Sequence, residues 1–261
     1  MDNGIYDLFL FSGQSNMAGR GIVCERWPQP APVSVPGAGW EYRAISAPDK
    51  LSVMEEPFGV LENKEGGIND GNRKTGSMVT AFTNACYGIT KVPIIGISAS
   101  KGGSSILEWQ PKTPMLIDAI ERLKRAQSFL AAENIHVRHR FMLWCQGETD
   151  GDNGMSVEEY KSKFARMWNE LKEAGIETCF LVRIGKYNGV EDITYERIRQ
   201  AQEELAQNFT DVIMVSGSFL EMKERGLMKD AFHYYQTAYN EVGCEAGKRV
   251  GEYIEKQGNF K

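Results

Sequence analysis

An α/β sandwich built on a parallel β-sheet is the fold class the sequence predicts, and two patterns predict it. Five short apolar runs, nearly continuous and rich in β-branched or aromatic residues, read as strands covered on both faces. Segments with helical periodicity lie between them, and strand–helix alternation places right-handed crossovers against a parallel sheet.

The runs are residues 6–11 (YDLFLF), 92–98 (VPIIGIS), 141–145 (FMLWC), 178–184 (TCFLVRI) and 212–216 (VIMVS). The first helical segment covers 78–89. The second, 115–133, follows Thr113-Pro114, a cap and first-turn pair. Segment 156–174 opens on Ser156 with Glu159 three residues on, a capping-box pattern, and stops at Gly175. Segments 192–208 and 237–257 complete the set. The alternation runs through without a linker, so residues 1–261 read as one domain, long enough to bury a core without disulfides.

One stretch departs from the alternation. Residues 19–74 hold much of the proline and glycine, with Trp27, Trp40, Phe58 and a polar run at 62–73. Its aromatic content argues against disorder, and a loop insertion of this length is either functional or a structural excursion. It follows the first strand, so it could cover that strand's carboxyl end, where open α/β sheets bind ligands.

Composition narrows the function classes. A net charge of −5 without a basic stripe gives no reason to expect nucleic acid as a partner. No apolar run approaches the roughly 20 residues that cross a bilayer, so no membrane is expected either. The opening MDNGIYDLFLF does not read as a signal peptide, which makes the chain as given cytoplasmic, or secreted or periplasmic if a leader has been removed. Cys24, Cys86, Cys145, Cys179 and Cys244 are odd in number and form no CxxC, so reduced thiols are expected, with neither disulfide nor zinc. His136 and His139 have H-x-x-H spacing, but no Glu or Cys follows at ligand spacing, so no metal is expected.

The chemistry-bearing residues sit where strands end. The first strand runs into Gly13-Gln14-Ser15-Asn16, and free N–H groups at a helix start suit the oxyanion of an attacked carbonyl. Ser15 could equally be only a helix cap. The second strand ends at Gly102-Gly103, where paired glycines let backbone approach a ligand; the spacing matches no phosphate loop. The third ends in Gln146-Gly147-Glu148-Thr149-Asp150, offering an amide for an oxyanion and carboxylates that could orient a histidine. Cys145 belongs to the apolar run and reads as buried and inert. His233 lies three residues after Asp230, so on a turn the carboxylate could hold one imidazole nitrogen and leave the other free to take a serine proton.

Taken in order, GQSNM at 13–17, the pair Gly102-Gly103, WCQGETD at 144–150 and DAFH at 230–233 resemble the four blocks of the SGNH (GDSL-like) hydrolase superfamily. They are most similar to its carbohydrate esterase family 6 and sialate O-acetylesterase-like branch. The resemblance implies a flavodoxin-like three-layer α/β/α sandwich with a five-stranded parallel sheet. It implies Ser15 as nucleophile, His233 as base and then acid, and an oxyanion hole from the N–H groups of Ser15 and Gly103. It implies no metal, no cofactor, and O-acetylated sugars such as acetylxylan or sialic acids as substrates.

Gln14 stands where the superfamily has Asp, and Gln146 where its oxyanion amide is usually Asn. The triad acid is Asp230 or Glu148. Gln14, Asn16 and Trp109 are candidate substrate contacts, Trp109 as a face for a pyranose. The rivals are a non-catalytic acetylated-glycan-binding protein, a flavodoxin-like nucleotide or flavin binder, and a lipase or thioesterase of the same superfamily. Nothing in the residues sets the oligomeric state.

Overall fold

A computed structural model describes residues 4–258. Its centre is a sheet of seven strands in the order β3-β2-β4-β1-β5-β6-β7. The strands are β1 (Ile5–Gly13), β2 (Gly39–Tyr42), β3 (Leu51–Val53), β4 (Ile94–Ser100), β5 (His136–Cys145), β6 (Thr178–Val182) and β7 (Val212–Ser216). The five apolar runs are β1, β4, β5, β6 and β7, and all their pairings are parallel.

The expected five-stranded sheet is therefore corrected to seven. The two additional strands come from within 19–74: β2 pairs in parallel with β4, and β3 pairs antiparallel with β2. They span only four and three residues, GWEY and LSV, too short for a period-two pattern to be recognised. Glu41 further disguises β2. It is buried within the strand, where its carboxylate accepts the Gly59 N–H at 3.1 Å and pairs with Arg43 at 2.7 Å.

Alternation along β1 sets the two layers. Leu8 and Leu10 face a core shared with α3 (Pro114–Ala132), α5 (Val157–Glu173) and α6 (Glu196–Asn208). Phe9 and Phe11 face the other core, with α2 (Val79–Thr90) and α7 (Gln236–Gly258). There Phe9 meets Phe82 edge-on at 5.2 Å between centroids. The helix α7 lies close on α2 because glycines face it: a Cβ at Gly247 would come within 2.2 Å of the Phe82 carbonyl oxygen.

The strand order positions the site. From β1 the chain goes first to the β4 side and then crosses to β5. The carboxyl ends of β4, β1 and β5 thus flank the point where strand order reverses, the usual ligand crevice of an open α/β sheet. Two short helices start there, α1 (Ser15–Ala18) and α4 (Glu148–Asp152). All five cysteines are free thiols, and burial raises the Cys145 thiol well above its usual range. No helix among the described residues is long and apolar enough to cross a membrane.

A buried arginine ties α3, β4 and the 19–74 stretch together. Arg122 donates to Asp118 Oδ2 at 2.9 and 3.1 Å, to the Ser98 carbonyl at 2.9 Å and to the Ile68 carbonyl at 3.3 Å. Without Arg122, buried Asp118 would keep only the partly exposed Lys64, 3.2 Å from its Oδ1, as a charge partner. Arg122→Met is therefore expected to lower unfolding free energy by about 3–5 kcal/mol, measured by denaturant titration.

Candidate active site

The site begins with a glycine that nothing else can replace. Gly13 ends β1 at φ +142°, and a Cβ there would lie 2.0 Å from the Cys145 carbonyl oxygen. That close crossing of β1 and β5 lets the Gln14 N–H donate to Cys145 O at 3.0 Å and starts α1 at Ser15. As the first helical residue, Ser15 has an N–H with no intrahelical acceptor. Among the described residues neither this N–H nor the Ser15 hydroxyl has a hydrogen-bond partner.

A cavity of about 270 Å³ opens over this turn. Ser15, Gly103 and His233 all line it, so the structure brings together the candidates from the first, second and last motifs. Gly103 has φ +71°, and its N–H also lacks an acceptor among the described residues. A larger groove of about 640 Å³ between α2 and α7 has neither serine nor histidine in its lining and lies away from this chemistry.

The histidine is held by Asp230. His233 Nδ1 lies 3.0 Å from Asp230 Oδ2, while Asp230 Oδ1 accepts the N–H groups of Phe232 at 2.8 Å and His233 at 2.7 Å. Burial pushes the imidazole pKa below its usual 6.5, against the pull of the Asp230 carboxylate. Burial also acts to raise Asp230, but the Phe232 amide and the imidazole outweigh it and hold its carboxyl below the ordinary value.

Glu148 occupies a different environment. Its Oε1 accepts the Asn16 amide at 2.5 Å, and its Oε2 has no partner. Burial pushes its carboxyl up to about 7, against the Asn16 hydrogen bond. It lines the cavity but makes no hydrogen bond to His233 among the described residues. Of the two candidate acids, Asp230 is the one in contact with the imidazole.

Three of the residues singled out from sequence are placed elsewhere. Gln146 is fully buried and does not line the cavity. Its amide donates to Gln14 Oε1 (3.2 Å), Ser104 O (3.0 Å) and Asp150 Oδ2 (2.5 Å), which leaves no hydrogen for an oxyanion. Asn16 is likewise fully buried. It donates to Glu148 and to Phe232 O and accepts from Tyr239 Oη, so it braces the serine turn and does not line the cavity. Trp109 is core: it is fully buried, stacks edge-on against Trp144 at 5.4 Å and donates to Ser104 Oγ at 3.1 Å.

Gln14 does line the cavity. Its Oε1 accepts the Gly147 N–H at 3.0 Å and the Gln146 amide at 3.2 Å, which fixes the carbonyl inward. Its Nε2 has only a long contact, 3.5 Å to Thr149 Oγ1.

Sequence reasoning missed Arg20, Arg73, Thr149, Asp152 and Phe232, which also line the cavity. Thr149 and Phe232 lie inside the recognised blocks. Arg20 and Arg73 stand at the two ends of the 19–74 stretch, where no spacing marks them. His136 and His139 are on β5 at its amino end, with His139 3.0 Å from Glu177. Among the described residues no cluster of metal-ligating side chains gathers.

A serine, an aspartate-held imidazole and free amide donors thus lie together at the switch point of an α/β/α sandwich. Residues 5–251 match the family model described as carbohydrate esterase, sialic acid-specific acetylesterase, and the chain belongs to that family. It is a carbohydrate O-acetylesterase. It is 26% identical to a probable carbohydrate esterase of Arabidopsis thaliana over 84% of this chain and 82% of the relative.

The solved structures of similar fold include a protein from Arabidopsis thaliana, with TM-score 0.71 and 21% identity over 95% of this chain and 98% of that one. A carbohydrate acetylesterase from Xanthomonas citri matches with TM-score 0.57 and 16% identity, over 94% of this chain and 56% of the other. The acetylxylan esterase Axe2 of Geobacillus stearothermophilus matches with TM-score 0.52 and 12% identity, over 96% of both chains.

The placement of Trp109 generates a prediction opposite to a sugar platform. Trp109→Ala is expected to cost about 3–5 kcal/mol of stability, as for other buried tryptophans. Its effect on KM should be equal for an acetylated sugar and an aryl acetate, and Michaelis kinetics on both, beside an unfolding curve, check this.

Proposed function

We propose that the chain removes O-acetyl groups through an acetyl-serine intermediate, with Ser15 as nucleophile, His233 as base and Asp230 as the acid that orients it. The observation that carries this reading is a shared cavity holding a free serine hydroxyl, an imidazole held at Nδ1, and the unpaired N–H groups of Ser15 and Gly103.

With Nδ1 bonded to Asp230, Nε2 is the nitrogen that takes the Ser15 proton as the hydroxyl attacks the acetyl carbonyl. The tetrahedral oxyanion rests on the two backbone N–H groups, with the Gln14 amide as third donor in place of Gln146. His233 then protonates the departing sugar oxygen. Water, deprotonated by the same nitrogen, attacks the acetyl-serine, and collapse releases acetate and returns the proton to Ser15.

The lining favours a polar substrate over a lipid. Arg20, Arg73, Glu148 and Asp152 surround the serine, and Phe232 is the large apolar side chain among the lining residues. A long acyl chain would find little apolar surface there, whereas a short acetyl on a sugar fits a cavity of about 270 Å³. An acetylated glycan is thus the partner.

Hydrolysis of p-nitrophenyl acetate should exceed that of the butyrate and be abolished in Ser15→Ala. Turnover that survives in the variant would remove the serine mechanism, and none in the wild type would favour a glycan-binding protein.

The pH dependence follows from the lowered His233 pKa. The neutral imidazole is the base, so kcat/KM should be level above the histidine pKa and fall as pH drops through it, with a midpoint below 6.5. In Asp230→Asn the carboxylate that opposes this lowering is gone. The midpoint should move further down, and kcat should drop by about 10²- to 10⁴-fold, the usual worth of general-base catalysis. A pH–rate profile of both proteins measures the two effects.

A further inference from the structure

We propose that Asp70, paired with Arg20, is the positioning residue of the oxyanion hole: it holds the Gly102 amide and thereby aims the Gly103 N–H at the reacting carbonyl. The inference rests on the assignment of Gly103 as an oxyanion donor.

The turn after β4 contains two consecutive glycines, whose φ and ψ are unusually free. Such a turn does not by itself keep one N–H aligned, so something outside it must. Two consecutive amides are taken up before Gly103. The Lys101 N–H donates to Gly13 O at 3.0 Å, which ties the turn to the end of β1. The Gly102 N–H donates to Asp70 Oδ1 at 2.9 Å. The Gly103 N–H is next, and it faces no protein acceptor among the described residues.

Asp70 is suited to this task. It is 1% exposed, so its hydrogen bonds do not compete with water. Arg20 Nη2 lies 2.8 Å from its Oδ1 and 2.7 Å from its Oδ2, while Arg20 Nη1 donates to Gly19 O at 3.1 Å. The loop braces Asp70 from behind, its N–H donating to Asn63 Oδ1 at 2.8 Å. A carboxylate paired with Arg20 is a stronger acceptor for the Gly102 N–H than a neutral oxygen would be. Space enforces the same arrangement, since a Cβ at Gly102 would meet Arg20 Nη2 at 2.3 Å. The 19–74 stretch thus supplies both members of a clamp that grips the second motif from outside the sheet.

A clamp of this kind acts on the transition state, because only there does the carbonyl oxygen carry the charge that Gly103 must meet. Outright loss of one oxyanion donor costs about 10²- to 10³-fold in kcat, and misalignment should cost less. In Asp70→Ala we expect kcat to fall about 10- to 100-fold with KM within about twofold of wild type. The rate of Ser15 phosphorylation by diethyl 4-nitrophenyl phosphate, whose phosphoryl oxygen occupies the same hole, should fall in step. Asp70→Asn keeps an acceptor for Gly102 but lacks the charge, and should lose only about 3- to 10-fold in kcat.

Arg138→Ala serves as the stability control. It breaks a second ion pair to a buried aspartate, Asp7, at the opposite end of the sheet, and should leave kcat unchanged. Wild-type kcat in either Asp70 variant overturns the proposal. So does an equal loss in Ala and Asn, a loss carried by KM, or a loss matched by Arg138→Ala. If Asp70→Ala does not fold, the Asn variant decides alone by whether kcat falls. A Ser15→Ala protein that still turns over would overturn the serine mechanism itself, an outcome separate from wild-type kcat in the Asp70 variants of a Ser15-dependent enzyme.

Discussion

Everything near the cavity depends on one buried side chain, Gln146. Its amide nitrogen reaches Gln14 at the end of β1, Ser104 after β4 and Asp150 in α4, and its carbonyl oxygens receive Tyr160 from α5 and Gln202 from α6. The segments that carry Ser15, Gly103 and Glu148 are therefore locked to one another through a single fully satisfied polar residue. Inside a protein such a network is strong when complete and costly when broken, which favours one arrangement of the strand ends. Asp150 extends it by accepting Ser105 Oγ and the Ile106 N–H, fixing the same β4 turn from the interior. The Asp70–Arg20 pair grips that turn from the other side.

The carboxylates around the cavity divide the electrostatic work. Asp230 is partly exposed and surrounded by donors, so it stays ionised and can stabilise an imidazolium. Glu148 is buried with one oxygen unpartnered, and desolvation brings its pKa near neutrality. The two acids thus differ because Glu148 is fully buried, whereas Asp230 is partly exposed and accepts two backbone amides. Asn16 connects them mechanically, binding Glu148 and the carbonyl of the residue preceding His233.

Gln146, Asn16 and Trp109 have side chains suited to a ligand, but in the structure each meets other protein groups and none lines the cavity. A glutamine at a strand end looks the same whether its amide faces a cavity or a neighbouring loop. The strand β2 escaped notice for a related reason: Glu41 is compatible with a strand interior only because Arg43 and the Gly59 amide lie beside it.

By itself the sequence determined the layer order and the place of the chemistry. Apolar runs with alternating helical segments allow few topologies, and strand-end motifs in a parallel sheet converge on one crevice. Ser15, His233 and the Gly102-Gly103 turn stand out in the sequence because their motifs depend on residue type and local backbone, and the structure places all three on one cavity. The tertiary structure decided which acid touches the imidazole, which amide faces the cavity, and that Arg20 and Asp70, fifty residues apart, meet against Gly102. Those choices depend on direction and burial, which arise only when distant segments pack, and no local spacing encodes them.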